Sequence, residues 1–155
     1  MTKRVIWGAL RAAGYSRIQA AGVMGNMRNE SDFNVETNWP DTNGFHAYGL
    51  ISWNAKFYPH APSLVTGHQR ADLARQVQYL LHHTRRIRKG LRGSTVAQVA
   101  SNWSAYVEAC ADCGFGRHQN SRRQAIARVI YQEARSGKWG LDRQPEVRRP
   151  RRRWG

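Results

Sequence analysis

The chain has only two cysteines in 155 residues, Cys110 and Cys113 in "CADC", so no disulfide framework of the kind that staples small secreted folds can be built. The C-x-x-C spacing alone fits half a metal site or a redox pair. Zinc needs about four ligands, however, and only His118 lies nearby in sequence, while no strand-helix-strand context suggests thiol exchange. Ordinary half-buried thiols near a helix end are the expectation. No run of 18 apolar residues occurs, so no segment is expected to insert in a membrane. The opening stretch "MTKRVIWGALRAAG" is broken by Arg11 and reads as an amphipathic helix of the mature protein, which leaves export to another carrier. No H-E-x-x-H is present, and His82-His83 diverge by about 100° on a helix, so neither a metal nor another cofactor is expected.

Acidic residues are also scarce, 10 against 25 Lys and Arg, and the formal net charge is +15. Such a field attracts polyanions before any specific contact forms: nucleic acid, anionic lipid or the anionic polymers of a cell wall. The segment 143–155, "RQPEVRRPRRRWG", holds six Arg and one Glu and is read as a flexible or partner-docked tail behind a single domain over 1–142.

Helical periodicity dominates what remains. A helix from about residue 3 to 13 carries Ile6, Ala9, Leu10 and Ala13 on one face and stops at Gly14. Three capping boxes, Ser16 with Gln19, Thr95 with Gln98 and Ser121 with Gln124, mark further helix starts. Another helix spans about 69–89, and the one after Thr95 repeats Val96, Val99, Ala100, Trp103, Val107 and Cys110. The last covers about 122–135. Between 34 and 66 the period vanishes; Asn43-Gly44 followed by "FHAYGLISW" signals a short strand or hairpin. The fold class is mainly α, with a small β-hairpin (α+β).

One carboxylate stands out. In "VMGNMRNESDFN" Glu30 projects within roughly 20° of Val23, at the rim of a stripe made by Ala20, Val23, Met24 and Met27, close to a helix C-terminus. An apolar niche and the negative helix end would both favour the protonated form. A carboxyl that keeps its proton near neutrality suits a general acid that protonates the leaving oxygen of a sugar. The bland alternative is an ion pair with one of the 21 arginines.

The order of "VMGNMRNESDFN" and "AYGLISW" resembles the phage tail lysozyme family. Gly22, Asn26, Glu30, Ser31, Phe33 and Asn34 match its pattern around the catalytic glutamate, and Tyr48, Gly49, Leu50 and Trp53 match the block that walls the sugar cleft. The likeness extends over about residues 3–135; Ser52 stands where the pattern has Gln, and Val35 where it has Pro. It implies a lysozyme-like helical domain that cleaves bacterial peptidoglycan, with Glu30 as acid and Tyr48, Gly49 and Trp53 on the substrate. Asp32, Glu36 and Asp41 are the candidates for a second carboxylate, with Asp41 preferred. Trp39 and Tyr58 are further cleft candidates. The same resemblance implies a virion tail component, or an endolysin waiting in the host cytoplasm, with other tail proteins as partners of the basic tail. Two alternatives are an inactive virion or nucleic-acid-binding protein on the same fold, and a cysteine amidase using Cys110 or Cys113.

Overall fold

The computed structural model describes residues 2–85, 91, 93–103 and 117–140, without the side chains of 117–120. Cys110, Cys113, Val107 and the tail at 143–155 lie outside the described residues. Among the described residues five α-helices accompany a small antiparallel sheet, a mainly helical α+β fold of the lysozyme-like kind. They are α1 (Thr2–Ala12), α2 (Arg17–Ser31), α3 (Gln69–Thr84), α4 (Val96–Trp103) and α5 (Arg117–Ser136), with strands β1 (Asn38–Pro40), β2 (His46–Tyr48) and β3 (Trp53–Asn54) between α2 and α3. A 3₁₀ turn at Ala61–Leu64 leads into α3.

Helix α2 is the axis of the molecule. Ser16 accepts from the Gln19 N–H at 3.1 Å while Gln19 Oε1 takes the Ser16 N–H at 2.9 Å, so the first capping box forms as expected. Every residue from Ala20 to Met27 is buried, a full circumference where a one-sided stripe was expected. The reason is packing on several sides, by α1, α4 and α5.

Two glycines permit that crowding. A Cβ on Gly22 would lie 2.6 Å from Val99 Cγ1, and one on Gly25 would lie 2.7 Å from Ala127 Cβ and 2.9 Å from the Arg123 carbonyl oxygen. Alanine at position 25 would gain about 1 kcal/mol of helix propensity but force backbone apart at an overpacking cost of about 1 to 3 kcal/mol. Gly25→Ala is therefore expected to lower the thermal midpoint, measured by circular dichroism.

At the second box, Gln98 N–H reaches Thr95 Oγ1 at 3.2 Å, but Gln98 Oε1 turns back to the Ser94 N–H at 2.9 Å. The third box does not form. Helix α5 already runs from Arg117, so Ser121 is interior, and Gln124 Nε2 donates instead to Ser101 Oγ on α4 at 2.7 Å. Packing between α4 and α5 overrides the local signal.

The expected hairpin is β1–β2, extended by β3, in the order β1-β2-β3 with Trp39 opposite Ala47 and Tyr48 opposite Trp53. Its turn closes with Gly44 N–H on the Asp41 carbonyl at 3.2 Å, Gly44 taking a φ of 80°. One glutamine joins this sheet to the helices. Gln76 of α3 is wholly buried; its Oε1 accepts the Leu50 N–H at 2.9 Å, and its Nε2 donates to the carbonyls of Val35 at 2.7 Å and Leu64 at 2.9 Å. Gly49, at a φ of 70°, is what lets the amide in: a Cβ there would meet Gln76 Oε1 at 2.5 Å.

Candidate active site

Glu30 sits in the last turn of α2, as the spacing predicts. The helix ends with Asp32 and Phe33 both in left-handed backbone, at φ 54° and 60°. Such conformations cost about 1 to 2 kcal/mol for residues with a Cβ. Burial of Phe33 and of Val35 just beyond offsets part of that cost. The turn is then pinned to the sheet segment. Ser31 Oγ donates to the Leu50 carbonyl at 2.8 Å, Ser52 Oγ to the Glu30 carbonyl at 3.4 Å, and Thr37 Oγ1 to the Asn34 carbonyl at 2.7 Å. Asn26, one turn before Glu30, donates to Ala100 of α4 at 3.0 Å. The motif residues thus fix how the end of α2 meets the segment at Leu50–Ser52.

The surroundings of Glu30 differ from the expected apolar niche. Its Oε1 forms a short ion pair with Nη2 of Arg123, which reaches across from α5. The arginine side chain is 1% exposed and the glutamate side chain 23%. With its amide turned so that the oxygen faces α5, Asn29 accepts from Arg123 Nε and Nη2 at 3.2 Å each. Glu30 Oε2 accepts no hydrogen bond from any described residue. The difference has a simple physical source: Val23, Met24 and Met27 face inward, but the close α2–α5 approach at Gly25 brings a cation to the end of the stripe.

None of the three candidate second carboxylates touches Glu30. Asp32 caps the helix and pairs with Arg28 at 3.6 Å. Asp41 lies in the exposed β1–β2 turn, accepting from the Thr42 N–H at 2.6 Å and from Asn54 Nδ2 at 2.7 Å. Glu36 is drawn to buried Asp72 of α3, whose carboxylate accepts from the Thr66 N–H at 2.8 Å, Thr66 Oγ1 at 2.7 Å and Arg75 Nη1 at 2.9 Å. Burial raises Glu36 above its ordinary 4.5, helped by its hydrogen bond to Asp72 and that residue's charge, against the Gly67 N–H and His68. Burial also pushes Asp72 up, yet Thr66, Glu36 and Arg75 together hold it below its ordinary 3.8.

The two have opposite linkage. Stability from protonated Glu36 is full below pH 4.5 and is lost as pH rises through its folded value; stability from Asp72 is present above pH 3.8 and is lost as pH falls through its depressed value. Glu36→Gln keeps a donor toward Asp72 without a titrating proton. Urea denaturation is expected to show this variant gaining on the wild type between pH 5 and pH 8, with no such gain at pH 4.

The cleft block is divided. Tyr48 is half-buried, its ring 6.1 Å from His46, and Gly49 donates its N–H to the Thr37 carbonyl at 2.9 Å. Trp53 is 3% exposed and packs edge-on against Tyr79 at 5.3 Å. Trp53 thus backs the sheet, and the indole expected on the substrate presents no exposed ring face in this structure. Trp39 is exposed, as are Phe45 and Phe57, which sequence reading did not single out. Tyr58 stands 6.0 Å from His83, beside Tyr79. Arg123, Asn29 and Gln76 were also missed. Of these only Arg123 had a signal, as one of the 21 arginines able to pair with Glu30.

Neither a comparison with curated proteins nor one with solved structures gives a match. Among protein families, residues 1–133 match that of the phage tail lysozymes, over most of the chain and including every motif residue named above. An α-helical domain whose second helix carries Glu30 out beside a small sheet, with this match along it, belongs to the phage tail lysozyme family.

Proposed function

We propose that the chain is a peptidoglycan muramidase in which Glu30 is the general acid. The observation that supports this best is the asymmetry of its carboxyl group, with one oxygen anchored by Arg123 and the other without a hydrogen-bond partner among the described residues, on a partly exposed helix end. In the reaction, Oε2–H gives its proton to the oxygen linking N-acetylmuramic acid to N-acetylglucosamine. The C1–O bond breaks and its electron pair leaves with that oxygen. Water, or the C6 hydroxyl of the same sugar, then bonds to C1 and loses its proton to a base. Asp41 is the candidate base or stabilising carboxylate. Tyr48, Gly49 and the exposed Trp39 offer the sugar an edge of mixed polar and aromatic surface, with Trp53 packed beneath.

The basic field holds the enzyme near anionic walls, and the segment 143–155 docks on other tail proteins in the virion. No helix among the described residues is long and apolar enough to cross a membrane.

A second reading, a virion protein without activity, draws support from the same ion pair, since an Arg–Glu contact between α2 and α5 also serves simply to join two helices. Digestion of purified peptidoglycan separates them. New glycan ends, reducing after attack by water or 1,6-anhydro after attack by the C6 hydroxyl, support the muramidase. Untouched glycan strands support the scaffold, and cut peptides with intact glycan support an amidase.

A further inference from the structure

Arg123 is one arginine among 21, and its position in a helix far along the chain is unremarkable. Its placement is not. A guanidinium with 1% exposure is expensive unless its donors are met, and here they meet Glu30 Oε1 and Asn29 Oδ1, side chains that are neighbours on α2. The reach depends on Gly25. The Arg123 carbonyl oxygen would stand only 2.9 Å from a Cβ on that glycine, so the backbone that carries the guanidinium is pressed against α2 less than two turns before the acid.

We propose that Arg123 is a positioning residue for the glycosidic reaction: by clamping Oε1, with Asn29 bracing the fork, it fixes the carboxyl plane and assigns proton delivery to Oε2. This rests on Glu30 being the general acid. A planar fork holds one carboxylate oxygen in a set direction, and an ammonium in its place keeps the charge while losing that direction. The oxygen bound to the cation is the poorer site for a proton, which leaves the acidic hydrogen on Oε2, the oxygen that no described residue bonds. Gly25 belongs to the same device, because it sets the helix separation at which the clamp closes.

The experiment is steady-state kinetics on soluble peptidoglycan fragments with the full chain, comparing the wild type, Arg123→Lys, Arg123→Met, Gly25→Ala and, as an equal-charge control on the exposed side of α5, Arg122→Gln. Misdirecting a reacting group by about 1 Å costs roughly a hundredfold. The kcat of Arg123→Met is therefore expected to fall by about that factor, with Arg123→Lys and Gly25→Ala between it and the wild type. KM should stay within about twofold throughout, and Arg122→Gln should match the wild type, because the substrate is held elsewhere. Should Arg123→Met fail to unfold cooperatively, the Lys variant carries the decision. Wild-type kcat in both Arg123 variants, or a raised KM with kcat unchanged, would overturn the positioning role while leaving the muramidase reading intact. A wild type that opens no glycosidic bond would overturn both.

Discussion

Glu30→Gln is expected to lose peptidoglycan cleavage by about 10²- to 10⁴-fold, the range that a positioned general acid supplies. Gln has nearly the shape of Glu and still offers Oε1 to Arg123, but its amide cannot deliver a proton. The substitution also carries a stability cost that the apolar-niche expectation did not contain. Arg123 is 1% exposed, and its charged partner would become neutral. Breaking a fully buried pair costs about 3 to 5 kcal/mol, but the Glu30 side chain is 23% exposed and partly screened, so a loss of about 1 to 3 kcal/mol is expected by urea denaturation. Adding Arg123→Met to this variant removes a buried charge whose counter-charge at Glu30 is gone and should return part of that stability with no return of activity. Stability recovered together with activity would mean that neither residue acts in the chemistry.

The largest structural effect is expected at Gln76. Its single amide satisfies the Leu50 N–H and the carbonyls of Val35 and Leu64, all with no exposure of the glutamine itself. Gln76→Leu is close in volume and apolar, yet it leaves one donor and two acceptors stranded where water does not reach. At about 1 to 3 kcal/mol for each group, partly offset by the buried leucine, the net loss is on the order of 3 to 6 kcal/mol. Domains of this size have only about 5 to 15 kcal/mol in hand, so the variant stands near the edge of folding. Guanidinium denaturation followed by tryptophan fluorescence measures it, and a loss below about 1 kcal/mol would show that the three backbone groups find other partners. The consequence reaches the site, because Val35 leads into β1 and Leu50, between β2 and β3, is the residue whose carbonyl Ser31 holds beside Glu30.

How much of this was legible in the sequence depended on the range of the interaction. Ser16 with Gln19, the stop of α1 at Gly14, the exit after Glu30 and the Asn43-Gly44 turn are local, and each is found where its side-chain chemistry puts it. Ser121 failed because a capping signal holds only if the chain before it leaves the helix, and there packing against α4 continues it. Gln76 is invisible for a different reason: a polar residue in a helical pattern reads as solvent-facing until the sheet that needs its amide is in place. Arg123 could be foreseen only as a kind of partner. That an arginine could pair with Glu30 follows from composition, whereas which one does so depends on how α5 crosses α2 at two residues without bulky side chains, Gly25 and Ala127.

The central claim, that Glu30 hands a proton to the departing sugar oxygen, is tested most directly by varying how badly that oxygen needs one. Two glycosides of a chito-oligosaccharide, one with an acidic nitrophenol as leaving group and one with an ordinary alcohol, are offered to the wild type and to Glu30→Gln. The account predicts that the variant loses the alcohol substrate by about 10²-fold or more yet cleaves the nitrophenyl substrate at nearly the wild-type rate, since a stable leaving anion requires no acid. Equal losses on both substrates, or no loss on either, would contradict it.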